Sequence, residues 1–410
     1  MKHLRLSLWL AMLLLLVVGG CKKDGEEDKD LVPVFLVESE KFTPPIPLTV
    51  DNLKAILANY DEADLSSLTA RLKYDVEVYK ITYKTAFEGD TIEASGVVAV
   101  PLSDSKKDAF PVLSYQHGTL FQKSQAPSLA ATNDFMTLIA ATGMVVVIPD
   151  YIGFGESAQV QHPYMHKEYT VNAVLDMIRA SKEFIATEDP CETNDQLFML
   201  GYSQGASATV AALSAIENNN LNADIHVTGA AAGSGAYNLT QFRDWIMDQQ
   251  IYEKPSFIAY ILKSYLKYTE MDVDYSQVFS EEFAASVPVL IDGRKSEEEV
   301  NSSFGTFHIG ELFNDDFEND SIFAASDAYA SMRAAFDANK VTSWQLSTPL
   351  TLYYGNDDLW VPGRESIQLY QNFQNDGAGS KVKLKPLPGA DHIMAFPPTL
   401  IGALDWFASF

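Results

Sequence analysis

The sequence predicts an α/β fold in which helices cover both faces of a mostly parallel β-sheet. From about residue 74 onward, short apolar runs that can form buried strands alternate with helical segments. One such run, 196–200, leads into Gly201-Tyr-Ser-Gln-Gly205 and then into an Ala-rich helical segment, 206–216. A long helical stretch without a clear strand, 237–347, interrupts the alternation before the last two strands.

The predicted sheet begins with a β-hairpin and continues as strands separated by helices. The hairpin pairs residues 75–86 with 91–100 around the turn Glu88-Gly-Asp90. Further strands, each a short apolar run bounded by turn residues, are predicted over 110–115, 144–148, 197–200, 225–232, 349–354 and 382–387. Helices are predicted over 131–141, 169–186, 206–216, 365–373 and 393–410, with 256–268 and 324–338 inside the insertion.

These elements divide the chain into five segments. We expect a signal peptide over 1–20, an acidic, proline-containing tether over 21–47, and a core formed by 48–236 together with 348–410. The insertion, 237–347, is predicted to form a helical cap over the carboxyl ends of the strands, before the strand that carries the candidate catalytic acid. Its dense aromatic side chains are interpreted as ordinary packing within the cap.

The N-terminus has the pattern of an export signal. Met1-Lys-His-Leu-Arg5 is basic, residues 6–18 are almost wholly apolar, and Gly19-Gly20 precede Cys21; the apolar run is shorter than an ordinary membrane span. Val18-Gly-Gly-Cys21 resembles the lipobox of bacterial lipoproteins, which implies that Cys21 is lipidated and anchors the exported chain to a bacterial membrane, expected to be the outer one. The chain would then face the periplasm or the cell surface. Secretion without an anchor is the alternative.

The charge of the chain argues against a nucleic-acid partner. With 29 Lys and Arg against 55 Asp and Glu, the formal net charge is −26, so no basic surface is available to neutralise phosphates. If Cys21 is acylated, Cys191 has no disulfide partner. Cys191 also lies in an acidic stretch without a nearby Lys or Arg to favour its thiolate, so we do not predict it to be a nucleophile.

Ser203 is the candidate nucleophile. A G-x-S-x-G sequence between a strand and a helix forms a nucleophile elbow, in which the two glycines permit a sharp turn that exposes the serine hydroxyl. Such a hydroxyl reacts only when a base takes its proton and an acid orients that base. In this arrangement the acid and then the histidine follow the serine along the chain, each after a later strand.

The two partners of Ser203 are predicted from the last two strands. His392, in Gly389-Ala-Asp-His392, follows the final strand and is the candidate base. Asp358, in Gly355-Asn-Asp-Asp358, follows the preceding strand and is the candidate acid, with Asp357 as the alternative one residue away. Asp391 is a weaker competitor, because neighbouring side chains on a loop rarely face each other.

The negative oxygen of a tetrahedral intermediate needs hydrogen-bond donors. One predicted donor is the backbone N–H of Gln204, at the start of the helix after the elbow, where the helix dipole adds positive potential. The other is the backbone N–H of Thr119, in the loop after strand 110–115. The ring of His117 is interpreted as a brace for that loop rather than as a proton carrier.

No cofactor or metal is predicted. His162 and His166 are four residues apart, but Pro163 disfavours a helix there and no third ligand is evident. His226 is interpreted as a residue of a strand, and His308, in the cap, has no predicted role.

Over roughly residues 75–240 and 345–410, the chain resembles the α/β-hydrolases. Four motifs, Gln116-His-Gly-Thr, Asp150-Tyr-x-Gly-x-Gly155, Gly201-Tyr-Ser-Gln-Gly-Ala206 and Gly235-Ala-Tyr-Asn-Leu239, together resemble the secretory lipase family. The resemblance implies hydrolysis of carboxylic esters without a cofactor, by a triad of Ser203, Asp358 and His392. Fungal members carry disulfides that cannot form here, and Asn238 stands where an aspartate is expected. The cap matches only loosely, so the acyl-chain length does not carry over.

Two other functions are compatible with the sequence. A serine peptidase of the same fold would need acidic residues to hold a peptide amino terminus, and the cap offers Glu281, Glu282 and 297–299, although these are more typical of a solvated face. A non-catalytic surface lipoprotein that binds a ligand is the alternative from another class. A complete triad argues against it, because a pure binding protein has no need of all three residues.

Overall fold

A nine-stranded sheet organises the residues that the structure, a computed structural model, describes: 34–58, 66–103, 105, 108–130 and 135–410. The predicted signal peptide, 1–20, and the candidate lipidation site, Cys21, lie outside these residues. Within them, no helix has both the length and the apolar character needed to cross a bilayer.

The sheet is antiparallel at one edge and parallel through the rest. Its strands are β1 (Leu36–Phe42), β2 (Asp75–Phe87), β3 (Asp90–Leu102), β4 (Ala109–Gln116), β5 (Val145–Pro149), β6 (Glu192–Tyr202), β7 (Gly229–Gly233), β8 (Leu350–Gly355) and β9 (Val382–Leu387). They lie in the order β1-β2-β3-β5-β4-β6-β7-β8-β9. Three pairs are antiparallel: β1 with β2, β2 with β3, and β3 with β5. The remaining five pairs are parallel. The predicted α/β fold with a mostly parallel sheet is therefore confirmed.

Helices cover both faces of this sheet. Outside the insertion they are α1 (Val50–Leu57), α2 (Ser66–Thr69), α3 (Pro127–Ala130), α4 (Lys167–Glu188), α5 (Gln204–Asn218), α16 (Arg364–Asn375) and α17 (Phe396–Phe407). Successive side chains of β6 point to opposite faces. Accordingly Met199 packs in the cluster that contains α4, α5 and α16, whereas Leu200 packs with α17.

Ten α-helices and one short 3-10 helix, Asp327–Tyr329, lie between β7 and β8. The α-helices are α6 (Leu239–Met247), α7 (Pro255–Tyr268), α8 (Tyr275–Val278), α9 (Glu281–Ala284), α10 (Val287–Leu290), α11 (Glu297–Ser302), α12 (Ile309–Leu312), α13 (Asp315–Glu318), α14 (Asp320–Ala325) and α15 (Ala330–Asn339). They bury an apolar cluster that is rich in phenylalanine, including Phe279, Phe304, Phe313 and Phe317, and that Phe121, Tyr164 and Val361 from outside the insertion also join. This stretch has the helical character expected of the insertion; its limits as a domain stay a prediction.

Three local predictions differ from the structure. The expected helix over 324–338 is divided, because the Ser326 hydroxyl accepts a hydrogen bond from the N–H of Ala328 and begins a new turn. The segment expected to be an α-helix over 131–141 is described from Phe135 onward and there forms a 3-10 helix, Phe135–Thr142. The strand predicted over 225–232 begins only at Gly229, so His226 precedes β7 instead of lying within it.

A fourth difference concerns β1. It lies within residues 21–47, which the sequence assigns to a tether, yet it pairs antiparallel with β2 at the edge of the sheet. Its sequence, LVESEKF, is polar and only partly buried, which is tolerated on an edge strand with one neighbour. The oxygens of Glu183 on α4 accept the backbone N–H groups of Val34, Phe35 and Leu36 and so fix where the strand starts.

Candidate active site

Ser203 occupies a sharp turn between β6 and α5. Its backbone has φ 57° and ψ −121°, a conformation that side chains rarely adopt and that is held only by its surroundings. A Cβ on Gly205 would overlap the carbonyl oxygen of Gln116, and one on Gly201 would overlap the carbonyl oxygen of Gly205. Glycine is therefore required on both sides of the serine, as the G-x-S-x-G pattern predicts.

His392 connects the serine to a carboxylate. Its Nε2 lies 3.0 Å from the Ser203 hydroxyl, and its Nδ1 lies 2.7 Å from Oδ2 of Asp358. Because a carboxylate only accepts, Nδ1 carries the hydrogen and Nε2 is free to accept the serine proton. The relative exposures are 9% for Ser203, 6% for His392 and 4% for Asp358. The three residues predicted from sequence thus meet in one hydrogen-bonded row.

The structure distinguishes the carboxylates that the sequence left as alternatives. Besides His392, Asp358 accepts the backbone N–H groups of Trp360 at 3.0 Å and Val361 at 2.8 Å, through its other oxygen. The side chain of Asp357 is exposed. Asp391 is also exposed and accepts the N–H of Met394. Of these three carboxylates, Asp358 is the one that contacts the imidazole.

The two predicted oxyanion donors lie on the segments that flank the serine. Gln204 is the first residue of α5, so its N–H stands at the positive end of that helix. Thr119 follows Gly118, whose Cα is close enough that an added Cβ would lie 3.7 Å from Cβ of Ser203. The Thr119 hydroxyl lies 2.9 Å from the hydroxyl of Tyr164. Their role as donors to a reacting oxygen stays a prediction.

His117 lies inside this loop with both ring nitrogens directed at backbone carbonyl oxygens. Nδ1 is 2.7 Å from the oxygen of Gly118, and Nε2 is 3.2 Å from the oxygen of Asp150. Burial lowers the pKa of His117 to about 4, although both backbone contacts raise it. A neutral ring carries one N–H and so donates to only one of these oxygens; its position between Gly118 and Asp150 joins the loop after β4 to the loop after β5, as expected of a brace.

The contact that His162 makes with Gln204 was not predicted from the sequence. This histidine is buried, its Nδ1 donates to the carbonyl oxygen of Ile152 at 2.7 Å, and its Nε2 accepts from the side-chain amide of Gln204 at 3.0 Å. Burial lowers its pKa to about 3, so the ring is neutral and Nε2 can accept. His162 thus holds the residue that follows the nucleophile, and the only signal for it was its position shortly after the Asp150-Tyr-x-Gly-x-Gly155 motif.

Two aromatic residues that were not singled out surround His392. The Tyr202 hydroxyl donates to the backbone carbonyl oxygen of His392 at 2.5 Å. The ring of Trp360 lies 5.3 Å from the imidazole, measured between centroids. The ammonium of Lys254 also lies over Trp360, 3.5 Å from a ring centroid, in a cation–π arrangement. Tyr202 therefore holds the backbone of His392, and Trp360 packs against its ring.

The remaining sequence candidates lie apart from this row. His226 is exposed, and His308 precedes α12 in the insertion. Asn238 accepts the N–H groups of Thr240 and Gln241 as the N-cap of α6, a position that asparagine and aspartate fill equally well. Burial, with Asp189 and Glu192 nearby, raises the pKa of the Cys191 thiol to about 12. Among the described residues, no three His, Cys, Asp or Glu side chains are grouped as metal ligands.

The geometry of this site agrees with the family and the solved structures to which the chain is similar. The family model for secretory lipases matches residues 122–409. A Legionella pneumophila protein described as a hydrolase is similar over 92% of this chain and 98% of its own, at 24% identity and a TM-score of 0.80. The rice cell wall degrading esterase LipA from Xanthomonas oryzae is similar over 91% and 96%, at 24% identity and a TM-score of 0.75. Candida antarctica lipase A in its closed state is similar over 91% and 81%, at 16% identity and a TM-score of 0.62.

At these identities the solved structures establish the fold. Among curated proteins, none matches the chain by sequence. The family model, in contrast, spans most of the chain and includes Ser203, Asp358 and His392. The chain therefore belongs to the secretory lipase family, and at that level it is an ester hydrolase.

Proposed function

We propose that the protein cleaves carboxylic esters through an acyl-enzyme formed on Ser203. The observation that carries this proposal is the hydrogen-bonded row Ser203–His392–Asp358, with distances of 3.0 and 2.7 Å. A hydroxyl, an imidazole and a carboxylate in this order supply a nucleophile, a base and a group that orients the base. The similar structures include an esterase and a lipase, which agrees with this activity.

In the first half of the reaction, Nε2 of His392 removes the proton of Ser203 as the serine oxygen attacks the ester carbonyl. The resulting imidazolium is stabilised by Asp358, and the negative oxygen of the tetrahedral intermediate is stabilised by the N–H groups of Gln204 and Thr119. Collapse of the intermediate transfers the proton from His392 to the departing alcohol and leaves the acyl group on Ser203. Water, activated by the same imidazole, then releases the carboxylic acid.

Peptide hydrolysis is a weaker candidate because the acidic residues of the cap have other partners or face solvent. Glu297 pairs with Lys254, and Glu299 completes a capping box with Ser296 at the start of α11. Glu281 is exposed in the first turn of α9. None of these carboxylates is free in a buried position to hold an amino terminus, so ester hydrolysis is preferred.

The test compares substrates on the purified chain that lacks residues 1–30. We expect turnover of p-nitrophenyl esters, little turnover of an aminoacyl anilide, and covalent labelling by a fluorophosphonate that is lost in Ser203→Ala. A panel of esters from acetyl to palmitoyl then assigns the acyl length. Preferred cleavage of the anilide would favour the peptidase, and absence of both turnover and labelling would favour the non-catalytic alternative.

We also propose that residues 1–20 are removed on export and that lipidated Cys21 anchors the chain. The proposal follows from the lipobox-like sequence before Cys21. Metabolic labelling with an alkyne fatty acid should mark the full chain and be lost in Cys21→Ser. Labelling that persists in this variant would contradict the anchor.

A further inference from the structure

A cavity of about 280 Å³ lies between the loops after β4 and β5 and the helical insertion. Three lysines line it: Lys123 from the loop after β4, and Lys263 and Lys267 from α7. We call it the lysine cavity. Its apolar lining includes Phe121, Phe154, Val160, Tyr260 and Ile291.

The lysine cavity is positively charged within a strongly acidic chain. None of the three lysines takes part in an ion pair with a residue that the structure describes. Lys123 donates to the carbonyl oxygens of Ala158 and Val160, and Lys263 donates to those of Pro288 and Ile291. An ammonium has three donors, so each retains one beyond these two bonds.

The one carboxylate in the lining is already neutralised. Asp292 pairs with Arg294 at 3.0 Å and with Lys295 at 3.2 Å. Although burial opposes the shift, hydrogen bonds from the backbone and side chains of Arg294 and Lys295 hold the pKa of Asp292 well below its usual range. The lining therefore carries three lysines and one carboxylate that is already paired, in a chain whose formal charge is −26.

The lysines also oppose one another. Burial and the charge of Lys267 lower the pKa of Lys123, and burial with the charges of Lys267, Lys123 and Lys295 lowers that of Lys263, against the attraction of Asp292. An anion placed among the ammonium groups would relieve this repulsion and occupy their remaining donors.

The lining contacts the residues that hold the predicted oxyanion donors. His162 lines the cavity and accepts a hydrogen bond from the side chain of Gln204 at 3.0 Å. Tyr260 also lines it and stacks on Tyr164 with centroids 4.4 Å apart, and the Tyr164 hydroxyl meets that of Thr119. His162 therefore lies between the lysine cavity and Gln204, and Tyr260 followed by Tyr164 lies between the cavity and Thr119.

We propose that the lysine cavity binds a small organic carboxylate, with its charged group among the three lysines and its apolar body against the aromatic lining. A volume of 280 Å³ equals the share of roughly nine water molecules, at about 30 Å³ each, which is enough for a one-ring acid. The products of ester cleavage are carboxylic acids, so this ligand class includes the product; that link rests on the proposed function, whereas the charge and shape argument does not.

Binding is tested by calorimetric titration of benzoate, neutral benzamide, glucuronate and inorganic phosphate. The protein is the chain without residues 1–30, as wild type and as Ser203→Ala, so that the result does not depend on catalysis. We expect benzoate to bind both proteins, and to bind at least tenfold more tightly than benzamide, because only benzoate carries the charge. Glucuronate, a carboxylate with a polar body, should bind more weakly than benzoate.

Two variants locate the site. Lys267 is exposed and lies 5.0 Å from the ring centroid of Tyr268, and Lys383 lies 5.7 Å from the ring of Trp406, far along the sheet on β9. Lys267→Gln should weaken benzoate binding at least fivefold, and the matched Lys383→Gln should leave it unchanged. Equal binding of benzoate and benzamide, equal effects of the two variants, or tighter binding of phosphate or glucuronate than of benzoate would overturn the proposal.

Discussion

The hydroxyl of Tyr202 donates a hydrogen bond of 2.5 Å to the backbone carbonyl oxygen of His392. Tyr202 precedes the candidate nucleophile on β6, and His392 lies on the loop after β9, so this bond ties together two segments that are distant along the chain. The Ser234 hydroxyl, at 3.2 Å, completes the environment of the tyrosine oxygen. Tyr202 therefore positions the candidate base relative to the elbow without touching the reacting atoms.

Tyr202→Phe should lower kcat about fivefold and change KM little. Loss of one buried hydrogen bond costs about 1 kcal/mol, and a misplaced base raises the barrier of the chemical step rather than weakening substrate binding. The matched control is Tyr83→Phe, which removes a buried bond of 2.9 Å to the carbonyl oxygen of Ala173. If both variants lose the same activity, the role of Tyr202 is general stability and not positioning.

Asp358→Asn should reduce kcat/KM by at least about a thousandfold, while the adjacent Asp357→Asn should change it by no more than about twofold. The amide can present an N–H to Nδ1 of His392 and thereby favour the tautomer that cannot accept the serine proton. Asp357 is exposed and provides a neighbouring control of the same chemistry. Steady-state kinetics on a short p-nitrophenyl ester measures both. A large loss in Asp357→Asn would reassign the acid.

Ser203 could be predicted as the candidate nucleophile because its position depends on a backbone requirement. Gly201 and Gly205 are demanded by close backbone approach around Ser203, and such a requirement is visible as a motif. The sequence distinguished Asp358 from Asp357 less clearly, because the choice depends on which of two adjacent side chains turns inward after β8. It is resolved only where the N–H groups of Trp360 and Val361 meet one carboxylate.

Other features could not be predicted because they depend on partners that are distant along the chain. His162 acts through Gln204, and nothing local to either residue indicates that contact. The strand β1 has no apolar alternation of its own and is defined by β2 and by Glu183. The prediction of one continuous helix through Ser326 was wrong for a local reason. The hydrogen bond from the N–H of Ala328 to the Ser326 hydroxyl interrupts the helix that the apolar periodicity predicts.

Glu365 should make the free energy of unfolding fall as pH rises from about 5 to 7. Its side chain is 2% exposed, and burial raises its pKa to about 7 from 4.5, despite hydrogen bonds from the N–H groups of Asn238 and Tyr237. The folded state thus binds the proton more tightly than the unfolded state. Its stabilisation is complete below about pH 4.5 and is lost as pH passes 7, on the order of 3 kcal/mol in total.

Glu365→Gln should remove that dependence, which denaturant unfolding at pH 5 and pH 8 can measure. Glu217→Gln is the matched control. Although burial opposes it, hydrogen bonds from Ser347, Thr348 and Trp344 lower the pKa of Glu217 below its usual 4.5, so its stabilisation is lost only as pH falls below that value, and this variant should leave the difference between pH 5 and pH 8 nearly unchanged. Loss of the difference in both variants, or in neither, would contradict the assignment of Glu365.

His162 should make the protein less stable in mild acid. Its pKa, lowered to about 3 by burial from 6.5, means that below pH 6.5 the unfolded state takes up a proton that the folded state refuses. The contribution is full above 6.5 and falls by about 2 kcal/mol by pH 5. It opposes the contribution of Glu365 in this range, so only variants separate the two. His162→Gln should flatten the acid side of the profile, and an unchanged slope would argue against a neutral buried ring.

Arg243 should hold the phenylalanine-rich part of the insertion together. Its side chain is 1% exposed, donates to the carbonyl oxygen of Phe317, and lies 5.1 and 4.4 Å from the ring centroids of Phe317 and Phe323. Its carboxylate partners, Asp244 and Asp320, are 39% and 58% exposed. The stabilisation therefore comes from packing, the buried hydrogen bond and cation–π contact more than from the ion pairs.

Arg243→Ala should lower the free energy of unfolding by about 3 kcal/mol, because it leaves a cavity and an unpaired carbonyl. Arg243→Met should recover roughly half of the loss, since its side chain restores apolar volume but not the donor. Hydrogen exchange should increase first in α13 and α14, which the arginine contacts. Arg294→Ala, whose side chain is 86% exposed, serves as the control and should cost less than about 0.5 kcal/mol. A loss as large in Arg294→Ala, or equal losses in the alanine and methionine variants, would mean that packing around Arg243 is not what stabilises the insertion.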